Sequence, residues 1–248
     1  MLTGLVSVTF RKLTPEKIVY LAKEAGLDGI EWGGDIHCPP GDIQTARKVG
    51  ALTRGCGLTV ISYGSYYRAG LGGPFEQVLE SAIALGTENI RIWAGETGSA
   101  QANRDDWIRV TEEARKASDM AAARGISVSF EYHGNTLTDS LPSAERLLAE
   151  VGRENVFTYW QPHPCSSAED NVWSVRRLVE LKKLKNLHVF SWEGDDRMPL
   201  AHSEERWRRC LSEAAPSDPA LLLEFVKGDD PSQMLEDAQT LIRLRQGI

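Results

Sequence analysis

The chain has 248 residues, 42% of them apolar and 25% charged, the balance of an ordinary globular domain. With 28 basic against 35 acidic residues the formal charge is −7, which repels phosphate backbones and argues against nucleic acid as a partner. No apolar run approaches the ~20 residues that cross a bilayer, so no membrane partner is expected.

In chain order, short β-rich apolar runs alternate with longer amphipathic ones. GLVSVTF (4–10) precedes PEKIVYLAKEAG (15–26), and DGIEWGG (28–34) precedes IQTARKVGALTRGCG (43–57). LTVISYG (58–64) is followed by FEQVLESAIALG (75–86), then NIRIWAG (89–95) by DDWIRVTEEARKASDMAAARG (105–125). ISVSFEYHG (126–134) leads to SAERLLAEVG (143–152), and NVFTYWQ (155–161) to VWSVRRLVELKKL (172–184). NLHVFSW (186–192) and SEERWRRCLSEAA (203–215) come next, then ALLLEFV (220–226) and PSQMLEDAQTLIRLRQ (231–246). The long runs repeat apolar residues at i, i+3, i+4 and i+7, as in Ile18, Leu21, Ala22 and Ala25, and several end in a capping glycine. The short runs are nearly continuous in β-branched and aromatic residues, as strands buried on both faces require. Eight such pairs at about thirty residues each, with no linker between them, predict one (β/α)8 TIM barrel over residues 1–248. The rival, a doubly wound open sheet, usually has a Gly-rich loop after its first strand, and VTFRKLTPE has none.

The four cysteines, Cys38, Cys56, Cys165 and Cys210, form no CxxC pair and read as free packing thiols of a reducing cytoplasm. The first residues, MLTGLVSVTFRKLTPEK, read as a first strand rather than a secretion signal.

In such a barrel the chemistry lies at the C-terminal ends of the strands. There the sequence places Glu31 and Trp32, Tyr63, Tyr66 and Tyr67, Arg91 and Trp93, Glu131 and His133, then Trp160, Gln161 and His163. His188, Trp192 and Glu193 belong to the seventh strand, and Glu224 ends the eighth, with Lys227 beyond. Glu131 and Glu224 each end an apolar strand (ISVSF, ALLL), so the two carboxylates are expected to face each other across the barrel mouth. Buried carboxylates need partners. Either an interior arginine such as Arg91 pairs with them, or they share a site that moves protons beside a carbonyl or holds a divalent cation.

LAKEAGLDGIEWGG, GISVSFEYHGN and LLLEF carry a full-length resemblance to the xylose isomerase-like TIM-barrel superfamily. That group includes sugar isomerases, ketose 3-epimerases, inosose dehydratases, hydroxypyruvate isomerases and metal-dependent apurinic endonucleases. The resemblance implies Glu131 and Glu224 as catalytic carboxylates and as two of four metal ligands, and Arg197 in GDDRMP as a substrate-loop arginine. It aligns Trp160 with the sixth-strand metal aspartate and Phe190 with the seventh-strand histidine, which implies a degraded site with Gln161 and His188 as substitute ligands. His163 matches the family's substrate-side histidine. The expected substrate contacts are therefore His163, Gln161, Trp160, His133, Arg197, Tyr63, Glu31 and Lys227. A Mn, Mg, Zn or Co ion is an open expectation, and so is a homo-oligomer. The apurinic-endonuclease branch does not fit, since its trinuclear cluster is rich in histidine and this acidic chain has five.

Elsewhere, His37 is weighed equally as pocket lining and surface loop, His202 and Trp207 as structural residues on a helix, and GLGG (70–73) as a turn. Two functions follow. The first is a sugar or polyol isomerase or epimerase exchanging protons between Glu131 and Glu224. The second is a non-catalytic sugar-binding barrel or pseudoenzyme subunit.

Overall fold

The computed structural model describes residues 1–163 and 166–248, so Cys165 lies outside the described residues. The alternating pattern folds into β1 (Thr3–Val6), α1 (Pro15–Glu24), β2 (Gly29–Gly33), α2 (Ile43–Gly55), β3 (Thr59–Arg68), α3 (Phe75–Leu85), β4 (Asn89–Trp93) and α4 (Arg104–Ala122). It continues through β5 (Ser127–Phe130), α5 (Leu141–Val151), β6 (Val156–Trp160), α6 (Ala168–Glu180), β7 (Leu184–Val189), α7 (Glu204–Ala214), β8 (Ala220–Leu223) and α8 (Pro231–Gln246). All eight strands pair in parallel, and β8 closes onto β1 with Leu222 opposite Gly4, giving the expected (β/α)8 barrel. Cys38, Cys56 and Cys210 are free thiols. Among the described residues no helix is long and apolar enough to cross a membrane.

Two layers of side chains hold this frame. Between sheet and helices lies an apolar layer that includes Trp32, Trp107, Trp160 and Trp207, all buried. Inside the barrel, below the mouth, the layer is polar but satisfied. The Tyr159 hydroxyl accepts from Asn89 (3.0 Å) and Asn186 (2.8 Å), while Asn89 Oδ1 accepts from Ser127 (2.8 Å) and Ser129 (2.7 Å). Hydrogen bonds of this kind offset the desolvation of the buried polar groups and fix which face of each strand looks inward.

Several boundaries differ from expectation. The first run is a strand only to Val6 and then a 3-10 turn, Ser7–Phe10. The seventh run divides after Val189, and Trp192–Glu193 pairs antiparallel with Asp196–Arg197 as a small rim hairpin. His202 sits in a 3-10 turn (Leu200–Ser203), whereas Trp207 lies on α7, buried, with its indole N–H on the Phe190 carbonyl (2.8 Å). The GLGG turn is pinned by Glu113, which accepts from the amides of Gly70 (2.7 Å) and Gly72 (3.2 Å).

Candidate active site

At the C-terminal ends of the strands the inward residues are charged. Arg91, on β4, is 2% exposed; its Nε donates to Glu31 (2.8 Å) and its Nη1 to Glu131. The Trp93 indole donates to the same Glu131 oxygen, and Ser62 donates to Glu31. Gly64 of β3 makes room for this pair, because a Cβ there would lie 2.5 Å from Arg91 Nη2. Arg91 is thus the interior cation offered above as one alternative, but it pairs with Glu31 and Glu131 rather than with Glu224. Glu31, expected to touch substrate, is fully buried beneath the mouth. Burial alone would raise its pKa, yet Arg91, His188 and Ser62 together hold the carboxyl far below the usual range.

His188 is the centre of the cluster. Its Nδ1 lies 3.2 Å from Gln161 Oε1, 3.3 Å from Glu224 Oε2 and 3.7 Å from Glu131 Oε1, and its Nε2 lies 3.5 Å from Glu31 Oε1. The alignment of Trp160 and Phe190 with ligand positions is therefore corrected. Tyr159 points into the barrel, so alternation turns Gln161 inward and Trp160 outward, where its indole N–H bonds Ser174 (2.7 Å) against Trp207. On β7 the same alternation turns Asn186 and His188 inward, and Phe190 lies past the strand end. The β6–β7 pairing shifts register between Thr158 and Tyr159, and beyond that shift Gln161 and His188 meet at one level.

Glu224, 5% exposed, is the least compensated member. Burial, reinforced by Glu131 and opposed by His188, pushes its carboxyl up to about 7, and its Oε2 has no hydrogen-bond donor. Three carboxylates (Glu31, Glu131, Glu224) share one guanidinium, so the cluster is short of positive charge. Among the described residues no three His, Cys, Asp or Glu side chains stand as a ready-made metal cage, and Arg91 takes one Glu131 oxygen. Glu131, Gln161, His188 and Glu224 are the side chains of this site that could hold a divalent cation. Donors around such an ion, bound at ~2.1 Å, are spaced roughly 3.0–3.4 Å apart; from His188 Nδ1, Gln161 Oε1 (3.2 Å) and Glu224 Oε2 (3.3 Å) meet that spacing and Glu131 Oε1 (3.7 Å) lies outside it. The orphaned Glu224 oxygen is the acceptor such an ion would satisfy.

His133, two residues beyond Glu131, stacks on Trp93 (centroids 4.6 Å apart), whose ring lies 3.7 Å from the Arg68 guanidinium carbon. Its Nδ1 lies 2.6 Å from the Gly134 carbonyl, which only accepts, so Nδ1 is the donor there and Nε2 is the ring nitrogen left for another partner.

Two cavities meet at this histidine. A mouth cavity of about 680 Å3 is lined by Arg11, Tyr66, Glu131, His133, Arg197 and Glu224 among others. A side lobe of about 500 Å3 is lined by His133, Gln161, His163, Trp192, Arg206 and Phe225 among others. Phe225 belongs to both, held at a left-handed φ of 55°, a strained setting for an aromatic residue. A larger cavity of about 990 Å3 opens at the opposite end of the barrel, away from the carboxylates.

Of the expected contacts, the structure brings Glu131, Glu224, His133, Gln161, His163 and Arg197 to these cavities and His188 beneath them. It does not bring four others, one of them Glu31, the buried partner of Arg91 described above. Tyr63 is buried against the helix layer with its hydroxyl on the Cys38 carbonyl (2.7 Å), Trp160 faces outward, and Lys227 is exposed and lines neither cavity. His37 is a packing histidine bonded to Ser7 (3.0 Å) and to the Leu13 carbonyl (3.1 Å). Arg11, Arg206 and Phe225 were not foreseen. Arg206 lies in a charged helix that reads as surface, and no periodic signal separates it from Arg208 and Arg209.

Comparison with known proteins agrees with this frame. The family described as xylose isomerase-like TIM barrel matches residues 19–239. A 3-dehydroshikimate dehydratase of Bacillus anthracis is 32% identical over 168 residues, 62% of this chain and 59% of that protein, so the match spans less than two thirds of the relative. A structure of the probable 3-DHS dehydratase involved in petrobactin synthesis from Bacillus anthracis superposes with a TM-score of 0.83 at 23% identity, covering 98% of this chain and 99% of that one. D-Psicose 3-epimerase from Clostridium cellulolyticum H10 follows with a TM-score of 0.74 at 16% identity, covering 100% and 99%. At these identities the two structures speak for the fold alone. The chain belongs to the xylose isomerase-like TIM-barrel family.

Proposed function

We propose that this barrel is a dehydratase that removes a proton from the carbon beside a ketone and expels the hydroxyl of the next carbon as water. The observation that carries the reading is His133, which lines both cavities two residues from Glu131 and whose Nδ1 is taken by the Gly134 carbonyl, leaving Nε2 as the ring nitrogen for a substrate proton. Trp93 and Arg68 hold the ring so that its lone pair keeps one direction. Glu131, Gln161, His188 and Glu224 would hold a divalent cation, which when bound polarises the ketone and balances the enolate charge. Arg91 and Trp93 keep Glu131 oriented, and Glu31 faces His188 Nε2 and sets the ring's orientation from behind.

The dehydratase relative favours loss of water as the outcome. The isomerase or epimerase expected from sequence shares the deprotonation and differs in returning the proton; Glu224, across the mouth from His133, supports that second reading. The inference of a degraded site rested on Trp160 and Phe190, and it weakens once Gln161 and His188 take those places.

The test is incubation of Mn-reconstituted protein with 3-dehydroshikimate, whose dehydration and tautomerisation give an aromatic catechol acid visible in the near ultraviolet. His133→Asn should slow turnover by ~10²–10⁴ with cation affinity unchanged. Full turnover in that variant would remove His133 as the base. Deuterium wash-in to a ketose without any dehydration would favour the epimerase.

A further inference from the structure

The side lobe contains one guanidinium that the rest of the structure leaves uncompensated. Arg11 pairs with Asp35, Arg91 with Glu31 and Glu131, and Arg197 with Asp229. Arg206 forms no ion pair among the described residues. Its Nη2 donates to Ser203 (2.7 Å), itself bonded to Ser191 (2.7 Å), and its buried Nε has no acceptor. In the same wall the buried indole N–H of Trp192 is also without a partner. Burial lowers the Arg206 pKa with no carboxylate to offset it, the condition of a cation placed to receive an anion from outside.

The remainder of the lobe describes what the anion is attached to. Phe190, Trp192 and Phe225 meet edge to face, with centroids 5.5–6.3 Å apart, and form an apolar wall suited to a flat ring. Gln161 and His133 line the same lobe, so a ring held there presents its carbons to the proposed base and cation donors. Asp195 also lines the lobe, which disfavours a phosphate dianion and leaves a planar monoanion matched to the guanidinium fork.

We infer that Arg206 is the carboxylate-binding residue of the site, and that the substrate class is a small cyclic hydroxy-keto acid whose ring lies against the Phe190–Trp192–Phe225 wall. The inference rests on the proposed function only in placing the reacting carbon at His133.

Binding tests it without turnover. Calorimetry with 3,4-dihydroxybenzoate, its methyl ester and catechol, on the protein as purified, compares probes that share the catechol and differ in the carboxylate. The acid should bind at least tenfold tighter than either neutral probe. Arg206→Gln should bring the acid to within about twofold of catechol while catechol binding stays unchanged, and Arg206→Lys should recover part of the preference. Retained preference in Arg206→Gln, or equal binding of acid and ester by the unaltered protein, would overturn the assignment. The ester comparison holds even if the variant fails to fold. Stronger displacement of the acid by inorganic phosphate than by acetate would reassign the lobe to phosphate. Carboxylate preference without dehydration of 3-dehydroshikimate would sink the proposed function alone, and dehydration with undiminished acid binding in Arg206→Gln would sink this inference alone.

Discussion

Arg91 shows how much one side chain carries here. It is buried between two carboxylates, and removing it leaves both uncompensated, a change that destabilises by about 3–5 kcal/mol. Arg91→Met should therefore lower the chemical-denaturation midpoint by that equivalent and also weaken cation binding, because Glu131 loses its orientation; an unchanged midpoint would show that the pairs are not formed. Gln161 makes the opposite case. Replacing its amide oxygen with a carboxylate adds charge where the cation donors meet, so Gln161→Asp should tighten divalent binding about tenfold in calorimetry on chelator-treated protein. Weaker binding would place the ion elsewhere. Gln161 also marks where sequence reading reached its limit. In VFTYWQ both strand faces are buried and both are aromatic, so the period-two signal that separates inside from outside is absent, and a one-residue misalignment passes unnoticed. On β7, by contrast, Asn186 and His188 alternate with Leu187 and Val189, and the inner face was legible from polarity alone.

At the scale of elements, neighbouring strands build the base together. Arg68 from β3, Trp93 from β4 and His133 just past β5 stack in sequence, so the direction of Nε2 depends on three strand ends held in register. Trp93→Leu removes the stacking surface and the indole bond to Glu131. It should reduce kcat at least ~10-fold with a smaller change in KM, measured with the dehydration assay. Equal kcat would show that the ring needs no such support. The alternation of strands and helices was readable because it repeats with strong apolar periodicity and glycine caps such as Gly86 and Gly152, both at positive φ. The rim hairpin and the strand ends were not. Two-residue strands leave no periodic trace, and Glu131 and Glu224 continue apolar runs although the ladders stop at Phe130 and Leu223.

For the whole molecule the charge shortage at the barrel mouth becomes a dependence of stability on pH and on cation. Glu224 rises from 4.5 to about 7 on folding, so between those values the folded protein binds more protons than the unfolded chain, and stability falls as pH rises through that window. The rise corresponds to about 3 kcal/mol, fully present below pH 4.5 and lost above pH 7. His188, also raised, acts in the same sense, its contribution being lost as pH rises through its folded pKa. Glu31, held far below 4.5, acts in the opposite sense: its stabilisation is present above 4.5 and lost in stronger acid. Cation-free protein should therefore be most stable near pH 5 and weaken towards pH 8. A divalent cation replaces the missing charge and competes with the Glu224 proton, so its effect should grow with pH. At a hundredfold excess over Kd, binding contributes about 2.7 kcal/mol, which for a chain of this size raises Tm by about 5–10 °C. Thermal melts with Mn, Co, Zn and Mg at pH 8 should show that shift and a much smaller one at pH 5.5. Melts that ignore all four ions at pH 8 would mean that the Glu131–Gln161–His188–Glu224 set holds no cation, leaving proton exchange at Glu224 as the chemistry of the mouth.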